Sequence, residues 1–458
     1  MDPPIFYHYV KASGLVFEDD LERVLEGVEG NDPAFWQVDP FLTDLSAEPV
    51  DRRHLQKPAR LRGAVRHVVP PPVEEEESRD ATEASLDGES ARREMDGVTD
   101  RDHRLADELI RRGFLNRWQT TQLFSGRTKF TLGDFRILDA IGRGGYGHVF
   151  LGRTEQGGRK QYIALKVLPL ARANPDLTKR FLHEIEVQKN LSHLNLVRFL
   201  GSGRDGNVHY MVHEFVDGGD LRELFRSEGV LPIEVVAPVL GQIARAVHYL
   251  HENGIVHRDI KPANVLLSDS GFAKLADMGL SVTYDRHAAA VRLLNPEDTA
   301  LERQIDSVTK TTKVAGTVDY MAPDQILKPS EPMPGWDIYS LGCTLYQLLT
   351  GEVPFPQGDT RQKLQARLRS DPKDVRILNP TISFDIADLL RGMLARNSAE
   401  RITAREVAER LDAWSPGTGI AYRITCGEDD TAVTEPPMQR FPHVERKPKT
   451  IIPISGRG

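Results

Sequence analysis

Between Phe135 and Trp414 apolar and polar positions alternate densely, and the period of that alternation changes along the way. Phe135-Arg136-Ile137-Leu138, Val149-Phe150-Leu151 and Tyr162 to Val167 read as strands. Lys179 to Leu191 has helical spacing, and beyond about residue 220 that spacing dominates, as in Val235 to His251. Strands first and helices later predict an α+β fold in two lobes. A small sheet-rich lobe with one helix spans 135–216, and a larger helical lobe spans 217–414.

The flanking segments follow other patterns. Residues 1–60 mix aromatics (Phe6, Tyr7, Tyr9, Phe35, Trp36, Phe41) with helix-like patches. Residues 61–102 hold Pro70-Pro71-Pro72, the acidic run Glu74 to Glu77 and almost no large apolar side chains. Such a segment buries too little surface to offset its ordering entropy, so a disordered acidic linker is expected there. Residues 103–130 predict a helical hairpin, with Ala106, Leu109 and Ile110 on the helix before Gly113. A weak repeat spans the linker: Gly14 and Gly27, like Gly113 and Gly126, bracket runs with apolar residues near helical spacing. They read as two helix–glycine–helix units or as two unrelated amphipathic helices. Residues 415–458 carry prolines and scattered charge without a sustained period, and a disordered tail is expected.

Composition narrows the classes of function. The 458 residues carry 59 basic and 67 acidic side chains, a formal net charge of −8. Such a chain lacks the basic surface that nucleic-acid binding needs, and no basic cluster suits an anionic membrane. No run of about 18 apolar residues is present, so no membrane-inserted helix is expected. Cys343 and Cys426 are too few for a disulfide framework and fit free thiols in a cytoplasmic protein.

The candidate chemistry begins at Gly142-Arg143-Gly144-Gly145-Tyr146-Gly147-His148-Val149. Glycines let a backbone approach phosphates closely. A strand follows here, where a dinucleotide-binding fold would place a helix. Lys166 ends an apolar strand and would need a partner inside the small lobe, and Glu184 lies on the helical stretch that follows. His257-Arg258-Asp259-Ile260-Lys261-Pro262-Ala263-Asn264 is more specific. Asp259 can orient a hydroxyl and accept its proton, and Lys261 can neutralise a transferring phosphoryl group. Asn264 and Asp277 of Asp277-Met278-Gly279 can offer oxygen to magnesium.

Taken in order with Ala322-Pro323-Asp324, Asp337 and Arg401, these motifs resemble the eukaryotic-type serine/threonine protein kinase family across about residues 135–414. The segment Ala315 to Pro323 is similar to that of bacterial members. The resemblance implies an enzyme that takes ATP and Mg2+ and phosphorylates serine or threonine hydroxyls of protein substrates in bacterial signalling. It implies further roles as well. Glu214, Phe215 and Val216 would form the hinge that reads adenine, and Asp220 would approach the ribose. Val149, Ala164 and Leu266 would pack on the base, and Thr317 would support Lys261 and Asp259.

Several positions depart from the family pattern. Met278 stands where phenylalanine is usual. Gln188 stands where an apolar residue usually stacks between Phe199 and Met278, so its amide must find a partner or weaken that column. His213 guards the back of the adenine pocket, either as a satisfied core histidine or as a pH switch. Asp324 replaces the glutamate that pairs with Arg401, and a strained or water-mediated pair is expected. Residues 284–308 read as an insertion, followed by Thr309, Thr311 and Thr312, which are candidates for autophosphorylation next to Arg258. A nucleotide-dependent scaffold and a small-molecule kinase are the competing readings. Residues 1–130 are expected to regulate the enzyme or to recruit a partner or a second copy.

Overall fold

A computed structural model of the chain describes residues 4–30, 98–144, 147–156, 159–169, 175–268, 271–283 and 317–414. The expectations for 31–60, for the linker up to residue 97, for the 284–308 insertion and for the tail 415–458 lie outside the described residues. So do Gly145, Thr309, Thr311 and Thr312, and the side chains of Arg143 and Thr317.

Two helical hairpins open the chain. The first joins α1 (Ile5–Ser13) to α2 (Glu18–Gly30), and the second joins α3 (Asp100–Arg111) to α4 (Arg117–Phe124). Each reverses at a glycine in the left-handed region, Gly14 at φ 61° and Gly113 at φ 77°, a conformation that a Cβ disfavours. At the second turn, Phe114 N–H donates to Leu109 O and Gly113 N–H to Ile110 O, the bond pair of a Schellman motif. Each glycine-bracketed run thus holds the second helix of a hairpin, although α2 runs on through Gly27 to Gly30, and the two hairpins share one core. Phe6, Val10, Leu21 and Val24 meet Leu105, Leu109 and Leu123, with Phe6 stacked 4.3 Å from Phe124. The linker expected to reach residue 102 ends sooner, because Asp100–Asp102 already form the first turn of α3. Thr99 and Asp102 close a capping box there, and Asp102 Oδ1 also accepts from Phe6 N–H at 2.7 Å.

The small lobe follows: β1 (Thr131–Leu132), β2 (Phe135–Gly144), β3 (Gly147–Gln156), β4 (Arg159–Pro169), α5 (Pro175–Gln188), β5 (Phe199–Asp205) and β6 (Val208–Glu214). The six strands form one antiparallel sheet in the order β1-β2-β3-β4-β6-β5. Phe181 and Ile185 of α5 pack against Leu168, Met211 and Phe199 of the sheet. That contact fixes which face of the helix looks along β4.

The chain enters the large lobe through residues 215–217. There follow β7 (Gly218–Asp220), α6 (Leu221–Glu228), α7 (Ile233–Glu252), β8 (Ile255–Val256), β9 (Val265–Ser268), β10 (Ala273–Leu275) and β11 (Val282–Thr283). Next come α8 (Pro323–Leu327), α9 (Gly335–Thr350), α10 (Thr360–Arg369), α11 (Val375–Leu378), α12 (Phe384–Met393) and α13 (Ala404–Asp412). Helices α7 and α9 are apolar over most of their circumference and form the centre of the lobe, as expected of fully enclosed helices. β7, β9 and β10 make a three-stranded sheet, and β8 pairs with β11. The architecture is the two-lobed α+β fold expected from the sequence. Among the described residues no helix is long and apolar enough to cross a membrane.

Candidate active site

β4 carries Lys166 on a strand paired on both sides, opposite Val149 of β3 and Met211 of β6. The ammonium lies inside the small lobe and meets two carboxylates. Glu184 of α5 sits at 2.8 and 3.0 Å, and Asp277, just after β10, at 2.7 Å. Burial alone would lower the Lys166 pKa, but Asp277 and Glu184 more than offset it and hold the lysine above its usual range. Burial pushes the Glu184 carboxyl up. For Asp277 burial acts in the same direction but loses to Lys166, and the carboxyl is drawn down to about 2. Asp277 adopts φ 62°, ψ 76°, a rare conformation for a residue with a Cβ, and its carboxylate also accepts from Gly279 N–H.

The loop from His257 to Asn264 is built around Asp337 at the start of α9. Asp337 Oδ2 accepts from His257 N–H and bonds His251 Nε2, both at 2.9 Å, while Oδ1 accepts from Arg258 N–H at 2.8 Å. Burial would raise the Asp337 pKa, yet these bonds hold it below the usual carboxylate value. They also hold Arg258 at φ 71°. Beyond this bend Asp259 receives Lys261 Nζ at 2.9 and 2.7 Å and Asn264 Nδ2 at 2.9 Å. Asn264 Nδ2 also donates to Asp259 O at 2.7 Å. Both hydrogens of the amide are therefore used within the loop, and its carbonyl oxygen is the end left for a cation. His257 Nε2 bonds Ala276 O, and Ala276 N–H donates to Asn264 O, so the loop is tied to the residue before Asp277.

The remaining candidates line the strands around this centre. Gly142 pairs with Val149 and Gly144 with Gly147 across β2 and β3. Ala164 faces His213 in the β4–β6 register, and Leu266 of β9 faces Asp220 of β7. Val216 lies in the link between the lobes. Two candidates have further occupations. Glu214 accepts from Arg198 N–H and pairs with Lys274, and Asp220 caps α6 by accepting from Glu223 N–H.

The departures from the family pattern are resolved by contacts. Gln188 finds partners at both ends of its amide: Nε2 donates to Glu184 Oε1 at 2.9 Å, and Oε1 meets His213 Nε2 at 2.7 Å. His213 is a satisfied core histidine, and burial carries its pKa down to about 3, far below any physiological switching range. The Asp324–Arg401 pair, expected to be strained or water-mediated, needs no bridging water. Asp324 Oδ1 meets Arg401 Nη2 directly, both side chains buried, and Arg401 also donates to Ala395 O, Gly335 O and Arg396 O. Sequence reasoning placed Asp337 in the motif series without a role, and it missed His251. The sequence signal was present in both cases, as a polar residue inside an otherwise apolar helix.

The protein kinase domain family matches residues 135–411. The probable serine/threonine-protein kinase CPE1738 of Clostridium perfringens is 27% identical over 303 residues, covering 66% of this chain and 41% of that protein. The serine/threonine-protein kinase PknB of Mycobacterium leprae is 32% identical over 284 residues, covering 60% of this chain and 42% of that protein. The Aurora kinase of Yarrowia lipolytica is 31% identical over 284 residues, covering 62% and 69%. The chain spans about two fifths of the length of the two bacterial relatives. It belongs to the protein kinase domain family, on its eukaryotic-type serine/threonine side.

Proposed function

We propose that this chain transfers the γ-phosphate of ATP to serine or threonine hydroxyls of protein substrates. One observation carries the reading: Lys166 bonds both Glu184 and Asp277 within 3.0 Å, bringing the small lobe and the segment after β10 to one point. Phosphoryl transfer asks mainly for positioning and for charge opposite the transferring group. In this reading Lys166 and the backbone of Gly142, Arg143, Gly144, Gly145 and Gly147 hold the ATP phosphates. Val149, Ala164 and Leu266 sandwich the base against the Glu214–Val216 link, and Asp220 reaches the ribose. Asp259 orients the incoming hydroxyl and takes its proton. Lys261, 2.7 Å from Asp259, shifts charge toward the phosphoryl oxygens, with Thr317 in support.

The donors at hand suit Mg2+, which takes oxygen ligands from one or two carboxylates and completes its shell with phosphates. Asp277 supplies a carboxylate that stays ionised, and Asn264 supplies the oxygen opposite its committed amide nitrogen. When bound, the ion would neutralise phosphate charge.

Autophosphorylation at Thr309, Thr311 or Thr312 is part of the same proposal. It is supported by Arg258, whose pKa is lowered by burial and by the neighbouring Arg180, against the opposing pull of Asp337. A phosphate would relieve the repulsion between those two arginines. Mass spectrometry of active protein with all three threonines unmodified would count against it. A cytoplasmic location goes with ATP as the donor.

The main test is transfer of label from ATP to a basic protein substrate. Asp259→Asn is expected to lower kcat by about 10²–10⁴-fold, the usual contribution of a general base. Lys166→Met is expected to abolish transfer while leaving the protein folded. Nucleotide binding by the unmutated chain without any transfer would sink the proposal and leave a scaffold.

A further inference from the structure

The N-terminal hairpins grip the strand that enters the glycine loop, and both of their turns take part. β2 is bulged twice against β3, because the pairing skips Leu138 and Ile141. A bulge leaves its extra residue out of the ladder, bends the strand and sharpens its twist. Leu138 O is bonded by Asn116 Nδ2 at 2.8 Å. Asn116 is also the N-cap of α4: its Oδ1 accepts from Gln119 N–H at 2.8 Å, and Gln119 Oε1 accepts from Asn116 N–H at 3.1 Å. Two residues before the bulge, Arg136 Nη2 donates to Leu15 O at 2.9 Å and Gly14 O at 3.3 Å. Those carbonyls lie in the turn that follows α1. Gly14 and Gly113 hold equivalent places in the two hairpins. Equivalent turns thus hold residues 136 and 138 of a single strand. A third contact reaches β3: Trp118 lies 5.7 Å from Phe150, which lies 5.8 Å from His148, beside Gly147 and Val149.

From these contacts we infer that the four N-terminal helices clamp the β2–β3 hairpin, and that Asn116 and Arg136 are positioning residues for nucleotide binding. The inference rests on the kinase reading, in which Gly142, Gly147 and Val149 cover ATP. The tilt of the hairpin over the nucleotide follows from where β2 bends, and Asn116 fixes the bend at Leu138. Without that bond the hairpin samples tilts that do not bind, and apparent affinity falls by the fraction of time lost to them. Once ATP is seated the reacting groups lie elsewhere, on Asp259 and Lys261, so kcat is spared.

Asn116→Asp in the full chain separates the two duties of the residue. The carboxylate still accepts from Gln119 N–H and keeps the cap, but it cannot donate to Leu138 O. The expected result is a rise of about 5–10-fold in KM for ATP with kcat within about twofold, the size of one ordinary hydrogen bond. Gln119→Ala serves as control. It removes the reciprocal arm of the capping box, leaves the Leu138 bond, and is expected to lower the melting temperature without moving KM. Arg136→Met provides a second, independent release of the same strand and should raise KM in the same direction. An unchanged KM in both Asn116→Asp and Arg136→Met overturns the clamp, as does an equal rise in the Gln119→Ala control. Equilibrium ATP titration of each variant keeps this apart from the kinase reading. An unmutated chain that binds ATP but transfers nothing overturns that reading alone, and the clamp is then judged on the Kd values.

Discussion

The amide of Gln188 has one orientation that satisfies its neighbours. An ionised Glu184 only accepts hydrogen bonds, so Gln188 must turn Nε2 toward it. Its Oε1 then faces His213, and His213 Nε2 must carry the proton. Along Asp277–Lys166–Glu184–Gln188–His213 the donors therefore converge on the carboxylates: His213 donates to Gln188 and Gln188 to Glu184, while Lys166 donates to both Glu184 and Asp277. Gln188→Leu breaks this chain of contacts. It leaves the His213 N–H without an acceptor inside the lobe, a loss of about 1–3 kcal/mol. Pairing the same change with His213→Met replaces both partners by apolar groups and should recover most of that loss. Urea unfolding of the single and double variants checks both statements. If the double variant is no more stable than Gln188→Leu, the two side chains do not act as a pair. None of this pairing was legible in the sequence. Gln188 read as a polar residue in an apolar place, but its partner lies on a strand whose register against α5 is set by the packing of Phe181 and Ile185.

At the scale of elements, legibility follows from whether a contact is made by side chains of recognisable type. The loop from His257 to Asn264 was readable because Asp259, Lys261 and Asn264 are neighbours in the chain. Lys166 and Glu184 were readable because a buried ammonium needs a carboxylate. The docking of the N-terminal hairpins was not, since Arg136 and Asn116 both bind backbone carbonyls, which carry no residue identity. The second hairpin was expected from its sequence, while the first was one of two readings that its glycines left open. The Asp324–Arg401 pair belongs to this scale too, because it anchors α8 near the start of α9. Asp324→Asn leaves Arg401 inside the protein with its carbonyl partners but without its counter-charge. A destabilisation of about 3–5 kcal/mol is expected, the usual result of breaking a buried pair from one side. A melting temperature within a degree or two of the unmutated protein would contradict it.

For the molecule as a whole, mild acid acts through histidines that burial holds below their usual range, His213 among them with His193 and His209. The folded protein takes up the His213 proton only near pH 3, whereas an unfolded chain takes it up near the ordinary value of 6.5. Below 6.5 the unfolded state therefore binds the extra proton, and stability falls as pH falls, by up to about 1.4 kcal/mol per pH unit from this group. Asp277 contributes in a lower window. Its folded value of about 2 lies below the ordinary 3.8, so its stabilisation is complete above 3.8 and is lost as pH falls toward 2. The full protein should lose stability between pH 6.5 and 4.5, and His213→Met should reduce that slope, leaving the share of His193 and His209. A slope that the substitution leaves untouched would remove His213 as its source.

The order of the chain gives the shared helical core one more consequence, which concerns how the protein is made. Residues Phe6 to Val28 leave the ribosome ahead of Leu105 to Leu123, the cover of their oily stripe. At about 5–20 residues per second the wait lasts on the order of 5–20 s. Through that interval the nascent hairpin is an open invitation to a holding chaperone, and the two lobes are still to be synthesised.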